Sequence, residues 1–86
     1  MRLVWARAAW ADYTHWQVTD RRVLKRINTL IKACLRDPYT GIGKPEQLKF
    51  GIKEAWSRRI TEEHRLVYLV ADDDLVVLQA RYHYGR

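Results

Sequence analysis

A single cysteine, Cys34, excludes an internal disulfide, and its place among apolar positions of a helical pattern marks it as a buried thiol in a chain suited to a reducing cytoplasm. The three histidines, His15, His64 and His83, lie far apart, and none has the paired spacing that a zinc site uses. Long hydrophobic runs are missing too. The longest, Leu66 to Ala71, is far too short to span a bilayer, and no stretch near the start has the apolar length of a signal peptide. Repeats and low-complexity segments are absent. These absences point to a soluble cytoplasmic protein with no membrane partner, no metal and no cofactor.

What is present is basic. Sixteen Lys and Arg against ten Asp and Glu leave a net charge of +6, which favours polyanionic partners, nucleic acid first among them. With 86 residues the chain is one domain, 1–86, and a domain of this size buries only about 60% of the surface it exposes when unfolded. Hydrophobic residues at 48% and four tryptophans make a small unstapled core feasible. Packing or a dimer contact accounts for at least three of Trp5, Trp10, Trp16 and Trp56 better than base stacking does.

Arg2 to Trp5 reads as a short opening strand, followed by a helix whose Ala9, Tyr13 and Trp16 share a face. The next helix is clearer: Thr19 as cap, Asp20 in the first turn, an apolar stripe through Val23, Ile27, Leu30, Ile31, Cys34 and Leu35, and Pro38 as the stop. Its other face carries Arg21, Arg22, Lys25, Arg26 and Lys32, either a solvated surface or a nucleic-acid contact. Pro38 to Gln47, with Gly41, Gly43 and Pro45, is a long loop. The period then changes to two, and Ala55–Ile60, Arg65–Ala71 and Leu75–Tyr84 read as an antiparallel meander. Asp72, Asp73 and Asp74 are a hairpin turn kept soluble rather than a magnesium site, and His64, beside Glu62 and Glu63, is a solvated turn residue. The fold class is α+β: two N-terminal helices packed on one face of a small antiparallel sheet, the other face partly open.

That open face has to be explained by what it displays. Along the last strand Gln79, Arg81 and His83 alternate to one side. The hairpin between the two preceding strands can bring Arg59 and Arg65 together, and Glu46 and Lys49 sit at the mouth of the long loop. Cleaving RNA through its own 2′-hydroxyl needs a base, an acid for the departing 5′-oxygen and cations on the phosphate, and no metal. The chain holds such a set, but composition and spacing alone leave it among several readings.

The run Trp56-Ser57-Arg58-Arg59-Ile60-Thr61-Glu62-Glu63-His64-Arg65-Leu66-Val67-Tyr68 and the later Arg81-Tyr82-His83-Tyr84 are more specific. With Trp16, Thr19-Asp20, Gly41, Gly43-Lys44-Pro45-Glu46 and Leu48-Lys49 they span nearly the whole length, and on them the chain resembles the YoeB/Txe toxins of the RelE superfamily. The resemblance implies a RelE-like microbial ribonuclease fold and a ribosome-dependent messenger RNA endonuclease, the toxin half of a type II toxin-antitoxin pair. By likeness, Glu46 is the general base, His83 the general acid and Arg65 the stabiliser of phosphate charge. Lys49 and Arg59 hold the scissile phosphate and backbone, and Tyr84 positions the nucleotide or the terminal backbone. The implied partners are the bacterial ribosome and its mRNA, a cognate YefM/Axe-like antitoxin with a flexible acidic segment, and a second copy in a homodimer.

Two features depart from the family pattern. Gly51 to Ala55 lacks a glycine two residues before Trp56, and Gly85-Arg86 extends past the usual end. Three other functions compete: a same-fold toxin that poisons DNA gyrase, against which Glu46 and His83 argue; a non-catalytic nucleic-acid-binding module; and a ribonuclease active on free RNA.

Overall fold

A computed structural model describes residues 1–82; His83, Tyr84, Gly85 and Arg86 lie outside the described residues. In chain order the elements are β1 (Arg2–Trp5), α1 (Arg7–Thr19), α2 (Arg21–Arg36), β2 (Glu46–Gln47), β3 (Trp56–Arg59), β4 (Arg65–Ala71) and β5 (Asp74–Gln79). The strands form one sheet in the order β1-β5-β4-β3-β2. The meander β3-β4-β5 is antiparallel as its alternation requires, but the sheet is mixed, because β1 joins β5 in parallel. The two helices carry the chain from β1 to the far edge of the sheet, and three successive antiparallel pairings from β2 bring β5 back beside β1, running in the same direction.

The α1–α2 junction is set by Asp20 rather than Thr19. Asp20 Oδ1 accepts the backbone N–H groups of Arg22 and Val23, at 3.0 and 3.3 Å, and so caps α2. Thr19 is the last residue of α1, its hydroxyl bonded to the His15 carbonyl. From α2, Val23, Ile27, Leu30, Ile31 and Cys34 are buried, each apolar side chain contributing about 1.5–3 kcal/mol. Leu35 instead stays exposed, one position round from the stripe. Burial raises the Cys34 thiol above its ordinary pKa, with Arg58 opposing the shift. Tyr13 joins the helices by donating to Asn28 Oδ1 at 2.7 Å. The core tryptophans are Trp16, buried, and Trp5 and Trp56, packed against the cluster; Trp10 is half-exposed.

On the helix side the sheet contributes Leu66, Tyr68, Leu75 and Val77 to the core. The β4–β5 turn places Asp72 and Asp73 in the left-handed region, φ 50° and 61°, the geometry of a two-residue hairpin that aspartate tolerates. Asp74 already belongs to β5 and takes a forked pair of bonds from Arg2 on β1, at 3.0 and 2.8 Å. Further along, the β4–β5 register slips. Tyr68 pairs with Val77 but Val67 pairs with Gln79, leaving Leu78 surplus. A bulge of this kind reverses the alternation, so Gln79 leaves the core side and falls in line with Val67 on the open face. The strand ends there, well short of Tyr84, and Tyr82 turns into the left-handed region at φ 60°.

Candidate active site

The open face is assembled from β2, β3 and β4. Glu46 pairs with Ser57, Ser57 with Val67, and Arg59 with Arg65, so one side of three strands carries a carboxylate, a hydroxyl and two guanidinium groups. Together with Lys44 and Lys49 they line a cleft of about 290 Å³, floored by Val67. All four of the residues proposed from the sequence that lie within the described residues thus come together: Glu46, Lys49, Arg59 and Arg65 line the cleft, and the hairpin sets the two arginines face to face.

Electrostatically the cleft is a cation cluster with one carboxylate. Among the described residues the salt bridges lie elsewhere, at Met1–Asp73 and Arg2–Asp74, so Lys44, Lys49, Arg59 and Arg65 are not neutralised by ion pairs. Arg65 is depressed from its ordinary pKa, by burial first and by Arg59 second, with Glu46 and Glu62 pulling the other way. It remains a cation at any working pH. Its Nη1 donates to the carbonyls of Thr61, Glu62 and His64 at 2.6, 3.0 and 3.1 Å, which fixes the guanidinium on the hairpin turn.

Glu46 reaches the cleft because the long loop before it is clamped from beneath. Arg58, fully buried on the core side of β3, donates from Nη2 to the carbonyls of Asp37 and Thr40, both at 2.7 Å, and from Nη1 to Ile42 at 2.9 Å. Its Nε donates to the Tyr68 hydroxyl at 3.0 Å, and that hydroxyl donates to the Pro38 carbonyl at 2.6 Å. Burial drives the Tyr68 phenol well above its usual pKa, so it stays a donor. Gly43 closes the loop: its carbonyl takes the Arg59 N–H at 2.7 Å, and a Cβ there would lie 2.7 Å from Leu30 Cδ2. The last two residues of the expected loop thereby become β2.

Sequence reasoning assigned no role to Lys44, Ser57 or Arg58. The signal for Arg58 was available: it stands between Trp56 and Ile60 at an inward position of an alternating strand, where a charge must be bonded to be buried. His64 requires a correction. It is half-buried rather than solvated, its ring lies 4.8 Å from Trp16 and 5.1 Å from Tyr82, and its Nδ1 accepts the Tyr82 N–H at 2.8 Å. Arg81 packs structurally, its guanidinium 6.0 Å from the Trp16 ring and 4.9 Å from that of Tyr82. The expected sites at His83 and Tyr84 lie outside the described residues.

On α2, Arg21, Arg22, Lys25 and Lys32 are exposed, while Arg26 is half-buried and bonds the Arg59 carbonyl at 3.3 Å, so the basic face runs up to the cleft. Among the described residues no group of three His, Cys, Asp or Glu gathers as metal ligands, and no helix is long and apolar enough to cross a membrane.

Comparison with known proteins agrees with this architecture. Toxin YoeB of Escherichia coli (strain K12) is 56% identical over 84 residues, covering 98% of this chain and all of the relative. A solved YoeB/ParE toxin from Agrobacterium tumefaciens superposes with a TM-score of 0.93 at 50% identity, covering 98% of this chain and 100% of that one. A YoeB dimer and a YoeB-YefM complex, both from Staphylococcus aureus, give TM-scores of 0.90 and 0.88 at 40% and 39% identity, each covering 98% of both chains. The family model for the YoeB-like toxin of bacterial type II toxin-antitoxin systems matches residues 5–84, and the chain belongs to that family.

Proposed function

We propose that this toxin is a ribosome-dependent endoribonuclease that cuts messenger RNA in the ribosomal A site and so stops translation in the cytoplasm. The observation that carries the reading is the row Glu46–Ser57–Val67 beside the opposed pair Arg59–Arg65: a base and unpaired cations on one open sheet face. Glu46 takes the proton of the 2′-hydroxyl, whose oxygen attacks the adjacent phosphorus. The P–O5′ bond breaks, and His83 gives its proton to the leaving 5′-oxygen, leaving a 2′,3′-cyclic phosphate and a 5′-hydroxyl. Arg65 takes up the charge that grows on the non-bridging oxygens, Lys49 and Arg59 hold the phosphate and backbone, and Tyr84 positions the nucleotide. The step is balanced by base, acid and cations, without metal or cofactor.

The partners follow from the same charge. A YefM-like antitoxin with an acidic segment has the cationic cleft as its natural ground, and the dimer and YoeB-YefM complex of Staphylococcus aureus support a homodimer silenced in this way. Mapping cuts on programmed ribosomes tests the reading. Wild type cuts in the A site, and Glu46→Gln, Arg65→Ala or His83→Ala lowers the rate by about 100-fold or more. Unchanged rates in all three would overturn the assignment of sites. DNA breaks with purified gyrase, cutting of free RNA at equal rate, or no product would overturn the function in favour of a gyrase poison, a general ribonuclease or a binding module respectively.

A further inference from the structure

The segment that delivers the general acid is tied down at two points. At Ala80, the N–H donates to Asp12 Oδ2 at 3.0 Å and the carbonyl accepts from Trp16 Nε1 at 2.8 Å, so α1 holds both sides of that residue. At Tyr82, the N–H donates to His64 Nδ1 at 2.8 Å and the carbonyl accepts the Arg65 N–H at 3.1 Å, so the β3–β4 hairpin holds both sides of this one. Gln79 Nε2 adds a bond to the Tyr82 carbonyl at 3.2 Å. Tyr82 is held with φ at 60°, a backbone state a tyrosine adopts only when its surroundings require it. The next residue in the chain is His83.

We propose that His64 is a positioning residue for the proposed general acid: its neutral imidazole, accepting the Tyr82 N–H at Nδ1, fixes the backbone of Tyr82, the residue directly before His83. The proposal rests on the ribonuclease reading for its consequence, and on the Tyr82 mooring for its cause. His64 directly precedes Arg65, whose guanidinium is fixed by the carbonyls of the same turn, so one hairpin turn registers the charge stabiliser against the segment that carries the acid. An Nδ1 that accepts must carry its proton on Nε2, and an imidazolium, with protons on both nitrogens, cannot accept at all. Protonation of His64 therefore converts an acceptor into a donor facing a donor, and the mooring is lost as the pH falls. Among the described residues, the titratable and charged groups on the elements packed around it include Asp12 and His15 of α1, Glu62, Glu63 and Arg65 of its own turn, and Arg81 with Tyr82 on the C-terminal segment.

Two substitutions separate bonding from packing. His64→Phe keeps a ring against Trp16 and Tyr82 and removes the acceptor; His64→Asn places Oδ1 where Nδ1 stood and does not titrate. On programmed ribosomes His64→Phe lowers kcat by about 10–100-fold with KM little changed, and His64→Asn recovers to within about threefold of wild type, the scale of a misplaced and a restored catalytic group. Between about pH 7.5 and pH 5.5 the wild-type rate falls more steeply than that of His64→Asn. Independently, long-range nitrogen NMR shows His64 as the Nε2–H tautomer at neutral pH, and the Tyr82 amide shifts with its titration. A Phe variant as fast as wild type, an Asn variant as slow as Phe, or a Tyr82 amide indifferent to His64 would overturn the proposal. Absence of cutting by wild type would instead overturn the ribonuclease reading and the positioning role with it, while the NMR measurement still decides the mooring.

Discussion

Arg59 and Arg65 stand directly opposite each other on β3 and β4, two like charges at a cross-strand position where opposite signs or apolar groups would stabilise the pair. Burial first, and Arg59 as a neighbouring cation second, lower the pKa of Arg65. The arrangement weakens the free protein, and in the proposed function it is the same pair that grips a phosphate placed between the two. Arg59→Gln therefore raises stability by about 0.2–1 kcal/mol while weakening RNA cutting, and inorganic phosphate raises the Tm of wild type more than that of the variant. Thermal scans with and without phosphate measure both effects.

Arg58 is the larger structural commitment. Replacing it by Met leaves the carbonyls of Asp37, Thr40 and Ile42 without their donor and frees the loop that leads to Glu46. The three carbonyls are part-buried, so the loss is at most about 1–3 kcal/mol for each, still a sizeable share of the roughly 5–15 kcal/mol expected for a whole domain. Tyr68→Phe, which removes one link of the same network, costs about 1–3 kcal/mol. Urea unfolding of both variants gives the order Arg58→Met worse than Tyr68→Phe.

Gly43 sits at φ 84° with Leu30 Cδ2 only 2.7 Å from where a Cβ would be. Gly43→Ala combines backbone strain with a core clash and costs about 1–3 kcal/mol, and because Glu46 lies three residues on, cutting falls further than stability alone explains. Comparing Cm in urea with single-turnover rates separates the two losses.

The sheet had an antiparallel meander written into its alternation, and the buried stripe of α2 was legible because Val23, Ile27, Leu30, Ile31 and Cys34 recur at helical spacing. Glu46, Lys49, Arg59 and Arg65 were legible through the family resemblance, and the cleft now joins them. Other features were not local enough to read. The parallel pairing of β1 with β5 depends on residues 72 positions apart, as Arg2 and Asp74 are. The mooring of Tyr82 on His64 depends on where the chain goes after a bulge, and a histidine between Glu63 and Arg65 gives no hint of a partner 18 residues downstream.

The Arg2–Asp74 fork gives a pH dependence of known sign. The bonds from Arg2 hold the Asp74 carboxyl below its ordinary pKa, so their stabilisation is present above the usual carboxylate range and is lost as the pH falls through the lowered value. Asp37 shifts the same way, chiefly through the Tyr39 N–H, and belongs to the same acid window. Arg2→Ala is thus less stable than wild type at neutral pH, and the difference closes below about pH 4. Tm against pH for the two proteins measures it; a gap that widened in acid would contradict the assignment.

The surplus Leu78 gives β5 two allegiances: Leu75 and Val77 point under the helices, whereas Gln79 aligns with Val67 on the face that carries the cleft. The extra residue, more than its identity, therefore sets the bend and twist with which the strand ends and the C-terminal segment departs. Substitutions at Leu78 should be absorbed, while deleting it would keep Gln79 in line with Val67 but remove the local bend and twist that the bulge gives the strand end. Alignments of functional relatives should accordingly vary in letter at this point but never in count.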